Sequence, residues 1–342
     1  MKRKYLSILL AFFLCILLLL SSPLLVQASF QKEDQCCNTL HRAALCKSEN
    51  FIYYTINNRI FRYHLKTKKK ICLYKSKTYY NFDSLCIKGK QLVCAANKYN
   101  GTDFADYDIF SINTDGTHAK TLAKGEYPCF LKGNLYFIKH KKPDFIKYIT
   151  PIEGIYMIKA GSSKIVSVKK SSSIQTLTTD GTKLYYSSYN NSTKTRWYSY
   201  LPSTKKIVFL AKINKEYCEE LSVSSSSIFY NSKNHIYCYH VSKKTDDQVI
   251  SLHTDFSNGM KHKNTLYYTD QNADQTSSLN AFNLKTKKTK KLLSADSIGY
   301  LYWMDGYLGY TIYTNSGEGP NTFLMLRLPN GSSIKLGSYF TS

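Results

Sequence analysis

The sequence predicts an all-β fold, a β-propeller of four-stranded antiparallel blades, seven of them in a ring. Three observations carry this. One strand–strand–turn–strand plan recurs seven times, its period stays between 40 and 47 residues, and helical periodicity is absent beyond the N-terminal apolar run. A self-similar period of that length, built from strands, is what propeller blades leave in a sequence. The last apolar residue before each Lys/Thr/Gly-rich turn marks the repeat: Leu65, Ile112, Ile158, Leu201, Val241, Leu284 and Leu328. Each is expected to end its blade's third strand, mostly buried against the next blade. If the first repeat were only a cap, the ring would have six blades.

The chain begins with basic Lys2, Arg3 and Lys4, then the apolar run Leu6–Leu20, Pro23 and the small-residue site Val26-Gln27-Ala28. That order reads as a signal peptide over residues 1–28, which places the protein outside the cytoplasm, secreted or held in the cell envelope. An uncleaved anchor is the competing reading, because the run approaches the length of a membrane span. Residues 29–39 then form a lead-in, and 40–342 a single propeller domain, expected to be a monomer.

Within each repeat an aromatic strand precedes the anchor strand: FIYYT (51–55), NLYFIK (134–139), KLYYSSY (183–189), SIFYN (227–231), TLYYT (265–269) and YLGYTIY (307–313). The second repeat is weaker, with QLVCAA (91–96). An inner strand comes earlier still, as SLCIKG (84–89), YPCFLKG (127–133), IQTLTTDG (174–181), LSVSSS (221–226) and IGYLYWMDG (298–306). Lys132-Gly133, Asp180-Gly181 and Asp305-Gly306 are hairpin signals between inner and second strands. Four such strands cannot bury both sheet faces alone, and stacking blades radially does so. The first blade is expected over roughly 40–75 and the last over roughly 297–340, each complete in itself.

Lys and Arg number 47 against 23 Asp and Glu, a formal charge of +24, and six of the 47 are Arg. Basicity that rests on Lys argues against nucleic acid, whose recognition relies on the guanidinium fork. Lysines crowd the recurrent turns, where they solubilise exposed edges. They also attract an anionic envelope polymer, without specificity. Nine cysteines follow the signal segment (36, 37, 46, 72, 86, 94, 129, 218 and 238), an odd number that leaves at least one thiol unpaired. Their spacing fits no zinc site. Cys72, Cys94 and Cys238 fall on strands and read as small buried hydrophobes.

Asn113-Thr114-Asp115-Gly116-Thr117 followed by Leu122 resembles the TDGT-type blade motif of the TolB-like and low-density-lipoprotein-receptor-like propellers. Ala160-Gly161-Ser162-Ser163 and Pro329-Asn330-Gly331-Ser332 fit the same turn. The resemblance implies a fold and an exported bacterial setting, and no reaction. The YWTD tetrapeptide of the receptor branch is missing, so its ligands do not carry over.

Chemistry is sparse in the sequence. There is no G-x-S-x-G elbow, P-loop or dinucleotide fingerprint, and no catalytic residue or cofactor is expected. Asp103, Asp106 and Asp108 lack the glycine and closing Glu of a calcium loop, so no metal is expected there. His64 and His240, each one residue before its anchor, read as polar residues tolerated on an exposed strand face. No Glu, His or Asp recurs at one strand position. The asymmetry lies in the connections between second and third strands, long in blades two (97–108) and three (140–154). These connections leave neighbouring blades on one face. They carry Tyr99, Phe104, Tyr107, Phe145 and Tyr148 with Lys141 and Lys142, a candidate surface for a partner. The expected function is noncatalytic binding of an envelope polymer, anionic by the charge argument, or of a protein partner. The alternative is a propeller-type lyase or hydrolase acting on a polysaccharide or small molecule, which needs acids or bases converging at the mouth of the central channel.

Overall fold

In each second strand, alternate side chains point to opposite faces of the sheet, and here both faces are apolar. The computed structural model shows where they go; it describes residues 40–98, 106–143, 150–189, 194–214, 218–254, 257–316 and 319–339. In Phe51–Ile56, Ile52 and Tyr54 pack towards the last blade, whereas Tyr53 packs towards the second. Leu92 and Cys94 likewise face the first blade, and Val93 the third. Leu184 and Tyr186 face the third, and Tyr185 the fifth. Seven apolar clusters result, one at each junction between neighbouring blades. A one-residue slip would exchange the two faces of a blade, so register is strongly specified.

Among the described residues the strands fall into six sheets, five of four strands and one of seven. The seven-stranded sheet is two blades joined through one long strand. That strand, β8 (Lys120–Leu131), pairs its first half with β7 (Tyr107–Asn113) and its second half with β9 (Asn134–His140). It is the outer strand of blade two and the inner strand of blade three. Gly125 lies at the changeover with φ +150°, and a Cβ there would lie 2.1 Å from the Ile138 carbonyl oxygen, so only glycine fits the bend. The described residues therefore form seven blades, and the six-blade alternative is set aside. All four strands of the last blade, within Ser297–Tyr339, come from the C-terminal repeat. The ring closes without a shared strand: Leu45, Ile52 and Tyr54 pack against Tyr302, Leu324 and Leu326, and the Tyr54 hydroxyl and Lys70 ammonium donate to the Leu336 carbonyl at 3.2 and 2.6 Å.

The hairpin signals hold at Lys132-Gly133 (φ 47° and 85°) and Asp305-Gly306 (φ 49° and 88°), as a primed turn requires. The anchors occupy equivalent places, but not as expected. Ile112, Ile158 and Leu201 lie within their strands, whereas Leu65, Val241, Leu284 and Leu328 fall one residue beyond. Only Ile112 is fully buried. The reason is that this residue stands at the hairpin end of its strand, where Leu65, Ile158, Val241, Leu284 and Leu328 cover only the rim of the inter-blade cores. The amides of Leu65, Val241 and Leu284 donate to Asn50, Ser226 and Asn264 carbonyls at 2.8, 3.0 and 2.8 Å. His64 caps its turn, its Nδ1 accepting from the Lys66 and Thr67 amides at 3.2 and 3.1 Å.

Cys46, Cys86, Cys94, Cys129 and Cys238 are buried free thiols, while Cys72 is exposed, contrary to its expected burial. Its side chain lies on Lys70–Lys75, the outer edge strand of its sheet, beyond which no further strand is paired. Among the described residues no helix is long and apolar enough to cross a membrane. The signal segment 1–28 and the lead-in 29–39 lie outside the described residues.

Candidate functional site at the central channel

In blades two, three, four, five and seven the inner strand shifts register against the second strand, and the bulge bends the chain there. In β5 (Asn81–Lys88) the rung Asp83–Ala95 is followed by Cys86–Val93. In β8, Glu126–Ile138 is followed by Cys129–Tyr136. In β16 (Cys218–Val223), Glu220–Tyr230 is followed by Ser222–Phe229. Asp83 and Glu126 thus hold the same position in blades two and three, and Glu220 forms the last rung before the break in blade five, opposite Tyr230. Blades four and seven place Ile174 and Ile298 at the Asp83 position. The expectation that no acid recurs at one strand position is corrected: Asp83 and Glu126 share one, and Glu220, like them, stands immediately before an inner strand read from the sequence.

The lead into the first blade crosses the channel. Leu40 packs with Tyr185, Trp197 and Val223 of blades four and five, and His41 Nε2 lies 3.5 Å from the Leu221 carbonyl oxygen. Arg42 follows, with φ 51°, and Ser84 and Tyr127 at the neighbouring bulges have φ 53° and 52°. Three left-handed residues at one mouth are strain that the surrounding structure must hold, a feature that clusters at functional sites.

Arg42 organises this mouth. Its guanidinium pairs with Asp83 at 3.5 Å and with Glu126, donates to the Tyr107 hydroxyl at 2.8 Å, and lies 4.7 and 4.8 Å from the Tyr107 and Tyr127 ring centroids. Burial works against its charge, and Asp83 with Tyr127 and Tyr107 outweighs burial, so the proton is held more tightly. Burial raises the Asp83 carboxyl, with Arg42 and Ser84 acting against it. Glu126 also meets His140 Nε2 at 3.1 Å. Burial lowers His140 to about 4, and Arg42 adds to that, so the imidazole is neutral. His41 is lowered to about 4 by burial, against its bond to Leu221.

Above this floor lies a cavity of about 580 Å³, within the range of ligand pockets. Asp83, Glu219 and Glu220 stand on its wall with Tyr127, Tyr300 and Tyr313. Tyr300 and Tyr313 are 47% and 38% exposed, large rings left uncovered inside the channel. Burial raises Glu219, and raises Glu220 to about 7 with Glu219 adding to the shift. The Trp197 indole favours the charged form of Glu220 but makes no hydrogen bond of good geometry. Neither Glu219 nor Glu220 has an ion-pair partner among the described residues. Three further wall atoms lack hydrogen bonds: Asn57 Nδ2, Asn81 Oδ1 and Thr311 Oγ1, and Thr311 is only 3% exposed.

The residues expected at a partner surface divide. Tyr99, Phe104, Phe145 and Tyr148 lie outside the described residues. Lys141 and Lys142 are exposed. Tyr107 is not: it opens β7, is 7% exposed and lies against Arg42, so its expected exposure is corrected. Asp106 and Asp108 are buried and share Lys98 and Lys124, with Lys124–Asp106 at 2.6 Å and Lys98–Asp108 at 3.0 Å. Two ammonium groups already neutralise them. Among the described residues no group of three His, Cys, Asp or Glu is placed to hold a metal ion. The cavity contains Asn57 and Thr322, from the ends of second-to-third-strand connections. It therefore opens on the face where the 97–108 and 140–154 connections leave their strands.

No protein-family model matches this sequence, and no curated protein matches it either. Solved structures do. A puromycin-hydrolysing peptidase from Mycobacterium tuberculosis aligns with a TM-score of 0.60 at 9% identity, over 90% of this chain and 55% of that one. An oligogalacturonate lyase from Vibrio parahaemolyticus aligns at 0.53 and 11% identity, over 70% of this chain and 76% of that one. TolB from Acinetobacter baumannii aligns at 0.47 and 10% identity, over 84% and 76%. The chain spans 52–56% of the length of the peptidases it matches. At these identities the likeness shows the fold alone, and the fold is a β-propeller.

Proposed function

We propose that the protein is an exported binding propeller that seats a segment of a cell-envelope polymer, or of a protein partner, in its central cavity. One observation carries this reading: a cavity of about 580 Å³ holds uncovered tyrosine rings beside polar atoms that have no protein partner. Buried polar groups are normally satisfied, and unsatisfied ones grouped in one cavity call for a ligand or bound water. Binding without turnover fits the Arg42 arrangement, which is locked by Asp83, Glu126 and Tyr107. Export rests on the N-terminal basic residues, apolar run and Val26-Gln27-Ala28 site.

The test is capture of soluble fragments from a muramidase digest of peptidoglycan by the immobilised protein, read by mass spectrometry. The reading expects capture by the parent and loss with Tyr300→Ala/Tyr313→Ala, in a variant that stays folded. Equal capture by both would move the site elsewhere.

One observation favours turnover as a second reading. Glu220, raised to about 7, shares a cavity with Asp83 and Glu219, which places an acid able to give a proton near neutral pH beside two further carboxyls. A lyase or hydrolase would shorten envelope polysaccharide chains, and Glu220→Gln would abolish shortening while leaving capture intact.

A further inference from the structure

Building on the cavity as the binding site, we propose that its ligand is an amino sugar, a hydroxylated ring carrying a primary ammonium group. Four carboxylates (Asp83, Glu126, Glu219 and Glu220) gather at the channel mouth against one guanidinium, Arg42. This local excess of acidic groups sits in a chain of net charge +24. Arg42 is consumed by Asp83 and Glu126, which leaves Glu219 and Glu220 to face the cavity. A cation within about 4–6 Å would favour the ionised form of both.

Carboxylates alone would not select a ligand. The second observation is the set of unpartnered atoms on the same wall: an amide donor at Asn57, an amide acceptor at Asn81 and the hydroxyl of Thr311, which is only 3% exposed. Donor, acceptor and hydroxyl together match a polyol, whose hydroxyls both give and accept. The third is the pair of uncovered rings, Tyr300 and Tyr313, beside the carboxylates. Aromatic faces take the apolar face of a sugar ring and also attract an ammonium group. A polyanion is disfavoured inside this cavity. The Lys-rich turns at 66–70, 205–206 and 285–291 follow third strands, and so stand on the opposite face of the ring.

The test compares matched probes by calorimetry with the full chain at about pH 6, where amines are protonated. Tetraglucosamine should bind at least tenfold tighter than its neutral N-acetylated counterpart. Glu219→Gln/Glu220→Gln, isosteric and folded, should bring the two within about twofold. Spermidine supplies the cation without the sugar and should bind more weakly than tetraglucosamine. Equal binding of both oligosaccharides would overturn the ammonium assignment while leaving the cavity as the site. Tighter binding of spermidine would overturn the sugar, and no binding of any probe would overturn the proposal. The peptidoglycan-fragment capture then judges the cavity separately.

Discussion

Arg42 and Tyr107 stand 65 residues apart in sequence and meet at 2.8 Å, guanidinium to phenol, where the lead into the first blade reaches the third strand of the second. The contact ties the channel floor to the blade wall. It also leaves Asp83 and Glu126 dependent on one cation, since both carboxylates are held by the same guanidinium.

Arg42→Ala should therefore destabilise the protein by about 3–5 kcal/mol, because it strands charges in a buried setting. Arg42→Lys should recover only part of this, since an ammonium cannot reproduce the planar fork or its stacking on Tyr127. Urea denaturation would measure both, and a loss below about 1 kcal/mol for the alanine variant would contradict the role given to Arg42.

Tyr107→Ala should cost about 3–5 kcal/mol, as for a buried aromatic. Lys141→Ala/Lys142→Ala should stay within about 0.5 kcal/mol, as for exposed positions. Thermal melts of the two variants side by side would check this. Equal stability would mean that the Tyr107 ring is not a packing residue.

Glu220 makes stability depend on pH. Its native value of about 7 lies above the 4.5 of the unfolded chain, so the native state holds the extra proton and stability falls as pH rises through that window. Glu220→Gln should then be more stable than the parent by about 1–3 kcal/mol near pH 8, with the gap closing near pH 5. His41 and His140, lowered to about 4, act in the other direction. Their stability is present above about 6.5 and lost as pH falls towards 4. Both proteins share them, so the difference isolates Glu220. A gap that does not change with pH would contradict the assignment.

Retention on a polyanion column should vanish at moderate salt, because exposed lysine charges are screened within about 8–10 Å. Glu219→Gln/Glu220→Gln should leave that elution point unchanged, since the lysine turns occupy the other face. A large shift in the double variant would place polyanion binding at the cavity.

The fold was legible because each second strand buries both faces. FIYYT and KLYYSSY are therefore uninterrupted runs between polar turns, and the turns repeat. The merging of two blades through β8 was not legible: Lys124-Gly125-Glu126 reads as a break, and only the close approach to Ile138 shows why the glycine continues the strand. The channel acids were hidden for a geometric reason. Measured to the anchor of the same repeat, Asp83 to Ile112, Glu126 to Ile158 and Glu220 to Val241 span 29, 32 and 21 residues. Connections of unequal length separate them, so no fixed period reveals the set. Searching for an acid immediately before each inner strand would have found it. Tyr107 was misjudged because its partner, Arg42, comes from a distant segment that no local pattern announces.

The most direct test of the central claim is a tyrosine-ring NMR titration of the full chain with a muramidase digest of peptidoglycan. The cavity account predicts saturable shifts of Tyr127, Tyr300 and Tyr313, while Tyr63 and Tyr239 near the opposite turns stay unmoved. Shifts confined to the opposite face, or binding that leaves the three cavity tyrosines unchanged, would contradict it.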